Sequence, residues 1–174
     1  MSRQESTREL FQDEVGVALE EAAGKLRAEY GDPDIRLAII DHRRVSQVVA
    51  PWDDVLDWDY ALQRASRFHR SCFVGMSSGA SSQIGALALI KVSKHRVTTS
   101  LLFLQKDDEG ALLPGRAMAM MDVILKAVAA VFESRWIVID TPISDLVSYY
   151  KSYGYATEER LDGRLLLTKA AESD

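Results

Sequence analysis

The chain has 174 residues, 47% of them hydrophobic and 27% charged, with a formal net charge of −5. That length fits one globular domain over 1–174 with a sizeable core, and the acidic balance gives no global electrostatic reason to bind nucleic acid or an anionic membrane. The only cysteine, Cys72 within "CFVGM", excludes an intrachain disulfide and a cysteine-rich metal site, and reads as a buried strand thiol. The N-terminal "MSRQESTREL" has no apolar signal core, and no stretch approaches the roughly 20 apolar residues of a membrane span. A cytoplasmic location is the default expectation.

From Glu5 to about Tyr30, Phe11, Val15, Ala18, Leu19, Ala22 and Leu26 recur at helical spacing, which predicts an amphipathic helix ended by "YGDPD". "IRLAIID" (35–41) is short, rich in branched residues and bounded by turn formers, so it reads as a strand. "RRVSQVVA" is ambiguous. After Pro51, "WDDVLDWDYALQRASRFHR" sets Val55, Trp58, Leu62 and Ala65 on one stripe. It predicts a helix to about His69, with Asp53 or Asp54 capping its first turn.

Three strand-like runs follow, at 71–77, 83–93 and 96–106, with connections short enough to imply an antiparallel meander. "RAMAMMDVILKAVAAVFES" is a helix whose stripe is Met121, Ile124, Leu125, Val128 and Phe132, and "RWIVID" (135–140) is apolar enough for a strand buried on both faces. Thr141 and Pro142 suit the start of a further helix and Gly154 its left-handed end. That helix carries "LVSYYKSYGYA" (146–156), with four tyrosines within seven positions. "YATEER" and "GRLLLTKA" make a hairpin around "LDG". The expected fold is α/β (α+β), with a mixed, mostly antiparallel sheet flanked by helices and an additional N-terminal helix. The helix covers 1–32, the core 35–168 and a polar tail 169–174.

The order of elements and two local patterns resemble the GNAT acetyltransferase superfamily over roughly residues 35 to 168. The first pattern is "YKSYGY" (150–155), similar to the family's tyrosine, variable residues, glycine and aromatic near the end of the penultimate helix. The second is "LLPGRA" (112–117), which resembles Gln/Arg-x-x-Gly-x-Gly/Ala but departs at Leu112. Where many members carry an asparagine seven residues before the tyrosine, this chain has Ile143.

The resemblance implies an acyl-CoA-dependent N-acetyltransferase that transfers an acetyl group from acetyl-CoA to an amine by direct attack. It implies Tyr150 as the acid that protonates the departing thiolate. It also implies Leu113, Pro114, Gly115, Arg116 and Ala117 as the pyrophosphate cradle, with oriented amides and a helix N-terminus favouring the anion. Leu104 and Gln105 are expected to offer backbone hydrogen bonds to the pantetheine arm. The alternative is a degenerate module of the same fold that acts through protein–protein contacts, favoured by Leu112 and Ile143. A homodimer through the extra helix is compatible with either.

"WDDVLDWD" (52–59) concentrates four aspartates and two tryptophans. Carboxylates beside indole faces suit a cation, so Trp52, Asp54 and Asp57 are candidate acceptor-binding residues for a cationic small molecule or polypeptide amine. Against that stands a plainer arrangement, with Trp58 facing the core and the aspartates capping a helix. For a general base, His42, His69, His95, Asp107 and Glu109 are candidates, and none lies in a motif. No metal site and no nucleic-acid or membrane partner is expected.

Overall fold

The structure is a computed structural model in which residues 2–53, 56–79, 83–107 and 116–172 are described. Among them run α1 (Arg3–Tyr30), β1 (Arg36–Ile40), α2 (Val45–Val49), α3 (Trp58–Arg67), β2 (Ser71–Ser77), β3 (Ala86–Val92), β4 (Thr98–Lys106), α4 (Ala117–Phe132), β5 (Trp136–Asp140), α5 (Val147–Lys151), β6 (Thr157–Leu161) and β7 (Arg164–Ala170). The seven strands form one sheet in the order β1-β2-β3-β4-β5-β7-β6. Only β4 and β5 pair in parallel, and α4 makes the crossover between them, as a parallel pair requires.

Strand alternation sends two sets of side chains to two helical layers. Cys72, Val74, Ala88 and Ile90 pack with α1 and α4, while Phe73, Leu87 and Leu89 pack with α2 and α3. α1 is a structural helix. It starts at a capping box between Ser2 and Glu5, ends on Gly31 at φ 60°, and buries Phe11, Val15, Leu19 and Leu26, with the Phe11 ring 5.3 Å from that of Phe132.

Several expectations change. The ambiguous "RRVSQVVA" forms a short 3₁₀ turn at His42–Arg44 followed by α2. α3 begins at Trp58, not Trp52, and Asp57 is its cap through Oδ1 to the Tyr60 N–H. The register is set by Trp58, which is buried against Phe73 and Phe103. Asp54 and Val55 lie outside the described residues. β5 is buried at its centre only, since Trp136 is 45% exposed. Thr141 does not cap a helix: its φ is 52°, and the helical segment begins only at a 3₁₀ turn over Ser144–Leu146. β7 runs to Ala170, two residues into the expected tail.

The β4–β5 pair stops early. The parallel register covers Thr98 to Leu101 against Trp136 to Ile139, yet β4 continues to Lys106. The cause is a bulge. Against β3, Ile90 pairs with Leu101 and Leu89 with Phe103, leaving Leu102 as the extra residue. As a result Leu102 and Phe103, consecutive in sequence, both pack in the α2–α3 layer. A bulge bends its strand, and here the bend follows the last residue paired with β5.

Candidate active site

The bend opens a cleft of about 70 Å³ lined by Leu101, Leu104, Ile139, Pro142, Ile143 and Tyr150, among others. The backbone of β4 offers hydrogen-bonding groups to it. Thr98 accepts from Ser93 N–H and Asp107 donates to Gly85, so these positions face β3. Successive residues of an antiparallel strand direct their groups to opposite edges, and the bulge shifts the parity by one. Phe103 and Gln105 therefore face β3, while Leu104 turns its N–H and C=O to the edge released from β5.

Gln105 has a different task. Its side chain accepts from the Trp58 indole at 2.8 Å and donates to the Asp53 carbonyl at 2.8 Å, tying Asp53 and the start of α3 to β4. These groups wall a second cavity of about 590 Å³, lined by Ser46, Asp53, Leu56, Asp57, Asp59 and Gln105 among others. Leu56 lines both the cleft and this acidic cavity, which places the two side by side. Trp52 is 7% exposed within the α2–α3 core and is absent from the cavity wall.

The four tyrosines have distinct environments. Tyr155 is fully buried and donates to Asp122 at 2.7 Å. Tyr149 and Tyr153 pair through their hydroxyls at 3.3 Å; burial and this contact push the Tyr149 phenol up to about 12. Tyr150 alone lines the cleft, at 7% exposure. Burial raises its pKa, so the phenol keeps its proton at neutral pH. Among the described residues no side chain hydrogen-bonds that hydroxyl.

Asp122 on α4 anchors this region. It accepts from Tyr155 and, at 2.5 Å, from Lys169, which also donates to the Tyr153 carbonyl at 2.9 Å. The turn after α5 is thereby pinned to β7 and α4. Burial pushes the Asp122 carboxyl up, but the bonds from Lys169 and Tyr155 outweigh it, and the net shift is downward. With a folded value below the unfolded one, near 4, its contribution is complete above about pH 4 and is lost as pH falls through the lower folded value. Asp122→Ala is expected to destabilise by about 3 kcal/mol, because Lys169 loses its counter-charge; thermal melts from neutral to acid pH would show the gap to wild type closing only below about pH 4.

At the start of α4, Arg116 is the N-cap residue, and among the described residues no side chain caps the first turn. Its guanidinium lies 4.5 Å from the Tyr30 ring centroid. Burial first and then Glu29 raise the Tyr30 phenol, with Arg116 opposing them. The expected cradle residues Leu113, Pro114 and Gly115 lie outside the described residues, as does Leu112; Arg116 and Ala117 stand at the helix start.

Of the histidines, His42 is exposed beside Asp41, His95 sits in the β3–β4 turn, and His69 lines a separate cavity. None lines the cleft or the acidic cavity. Asp107 follows β4, and Glu109 is outside the described residues. Cys72 is buried and its thiol pushed up to about 12, which leaves it unreactive. Among the described residues there is no cluster that could hold a metal ion, and no helix is long and apolar enough to cross a membrane.

The sheet order, the parallel β4–β5 pair that splays, and the crossover helix define a GNAT fold. No family model matches the chain, and no curated protein does; the likeness is to solved structures. A GNAT-family acetyltransferase from Desulfovibrio desulfuricans is similar at TM-score 0.55 and 12% identity, over 79% of this chain and 99% of that one. The ribosomal-protein-S18-alanine N-acetyltransferase of Escherichia coli matches at TM-score 0.56 and 13% identity, over 80% and 96%. A mutant spermidine N-acetyltransferase from Vibrio cholerae matches at TM-score 0.56 and 8% identity, over 79% and 94%. The chain has the fold of the GNAT acetyltransferases, with a long N-terminal helix added.

Proposed function

We propose that the protein is an N-acetyltransferase that transfers the acetyl group of acetyl-CoA directly to an amine. The observation that carries this reading is the cleft behind the Leu102 bulge, where the β4 edge at Leu104 lies beyond its pairing with β5 and the buried Tyr150 phenol lines the same space. An extended amide-bearing arm suits the Leu104 edge, because its amides can take the place of the missing strand. The first turn of α4, which no described side chain caps, suits the pyrophosphate, with Arg116 able to add a charge-assisted bond.

In this reaction the neutral amine attacks the thioester carbon, the carbon–sulfur bond breaks, and the sulfur leaves with the bonding pair. Tyr150 gives that thiolate its proton, and the proton lost by the amine passes to solvent. Direct transfer is preferred to a covalent enzyme intermediate because Cys72 is buried and protonated.

The acceptor reaches the thioester from the acidic cavity past Leu56. Asp53, Asp57 and Asp59 favour a cationic acceptor, and the E. coli and V. cholerae neighbours are a ribosomal-protein-S18-alanine N-acetyltransferase and a spermidine N-acetyltransferase. The test is release of free thiol from acetyl-CoA in the presence of polyamines and N-terminal or lysine peptides. Turnover with at least one cationic amine supports the reading; acetyl-CoA binding without turnover across the screen supports the degenerate binding module. Asp57→Asn with Asp59→Asn is expected to raise the acceptor KM about tenfold with kcat nearly unchanged, since the lost attraction acts on binding. A KM equal to wild type would remove the aspartates from acceptor recognition.

A further inference from the structure

At the far end of the sheet from the cleft, where β3 ends opposite the start of β4, lies a cavity of about 540 Å³. Its wall comes from three segments distant in sequence: the start of α1, the end of α3 with the first residues before β2, and the end of β3. Arg3, Arg67, Arg70, Lys91 and Lys94 all line it, and among the described residues no aspartate or glutamate does. In a chain of net charge −5 this is a local concentration of positive charge without its counter-charges.

The cations are not committed elsewhere. Among the described residues Arg3, Arg67, Lys91 and Lys94 form no ion pair, and Arg70 is held only by the Lys94 carbonyl at 2.8 Å. The nearest acidic influence on Lys91 is Asp140, which is already engaged by Arg64 at 3.8 Å and Arg164 at 3.0 Å. Lys91 instead rests 3.9 Å from the centroid of the Phe68 ring. His69 lines the same cavity between Phe68 and Arg70.

We propose that this basic cavity is a binding site for a small, multiply charged phosphorylated anion. Two or more phosphate groups would neutralise the facing cations, with arginine forks giving paired bonds and the lysines acting as point charges. The volume is in the range of small-molecule sites. A nucleic-acid strand is disfavoured, because even a single binding module covers about 600 Å² or more of positive surface, whereas here the charge is confined to one concavity on an acidic protein. The site is independent of the acetyltransferase reading and lies at the opposite end of β4 from the start of α4.

The test is calorimetric titration of the full chain with inorganic tripolyphosphate at low salt, in wild type, Arg67→Glu, Lys94→Glu and Arg116→Glu. Both Arg67 and Lys94 are exposed, so their substitution leaves the core intact, and circular dichroism verifies it. Binding that is weakened about tenfold or more by Arg67→Glu and by Lys94→Glu, and kept in Arg116→Glu, supports the proposal. It is overturned if wild type does not bind, or if only Arg116→Glu loses binding, which would place the anion at α4. It is also overturned if single-stranded RNA binds tighter than tripolyphosphate with affinity growing with strand length.

Discussion

Deletion of Leu102 is expected to yield a folded protein that no longer binds acetyl-CoA. Leu101 already pairs with Ile90 and Phe103 with Leu89, so removing the extra residue preserves the β3–β4 register on both sides. Phe103 stays in the α2–α3 layer and Leu104 in the other. What disappears is the bend that parts β4 from β5 after Leu101 and Ile139. The strands would then run on together and the Leu104 edge would close against β5. The cost in stability is that of one buried leucine, about 1.5–3 kcal/mol, which a melt detects but a typical domain survives. Unchanged acetyl-CoA affinity would show that the bulge does not create the donor site.

Tyr150→Phe is expected to lower kcat about 100-fold while leaving acetyl-CoA affinity near wild type. The phenylalanine keeps the packing of the buried ring and removes only the hydroxyl. The pH dependence should follow the acid: its pKa is raised by burial, so activity controlled by this proton is retained at neutral pH and falls only above the ordinary tyrosine value of about 10. The matched controls are Tyr149→Phe and Tyr153→Phe, which break only their mutual contact. If Tyr149→Phe were the more damaging, the acid would have to be reassigned to the paired tyrosines. A 100-fold rise in KM with kcat intact would make Tyr150 a binding residue.

Much of the fold was legible because its elements follow strong periodicities. The stripe of α4, the meander and the Asp162-Gly163 hairpin turn, with φ of 50° and 79°, follow from spacing and turn chemistry alone. The start of α3 was not, since "WDDVLDWD" offers several aspartates equally suited to cap, and only the burial of Trp58 chooses Asp57. Likewise Thr141, a non-glycine at positive φ, carries no local sign of its conformation.

The site divides in the same way. Tyr150 was singled out by its resemblance to a family pattern, and the structure sets it apart from Tyr149, Tyr153 and Tyr155 by position in the cleft. The bulge at Leu102 has no sequence mark, because "LLFL" (101–104) is apolar throughout and lacks glycine. Leu56 joins the site from just before α3 and Asp59 from its first turn, and the Gln105 side chain through a contact 47 residues away. The basic cavity gathers three remote segments, each unremarkable by itself.

The central claim is that the chain binds acetyl-CoA across the start of α4 and the β4–β5 cleft, and calorimetry with acetyl-CoA on wild type and Ala117→Glu tests it most directly. A carboxylate in the first helical turn favours the helix itself, so this variant keeps its fold while opposing a bound pyrophosphate. The account predicts saturable binding by wild type and a loss of at least about tenfold in Ala117→Glu. No binding by wild type at millimolar acetyl-CoA, or equal binding by both proteins, would contradict it.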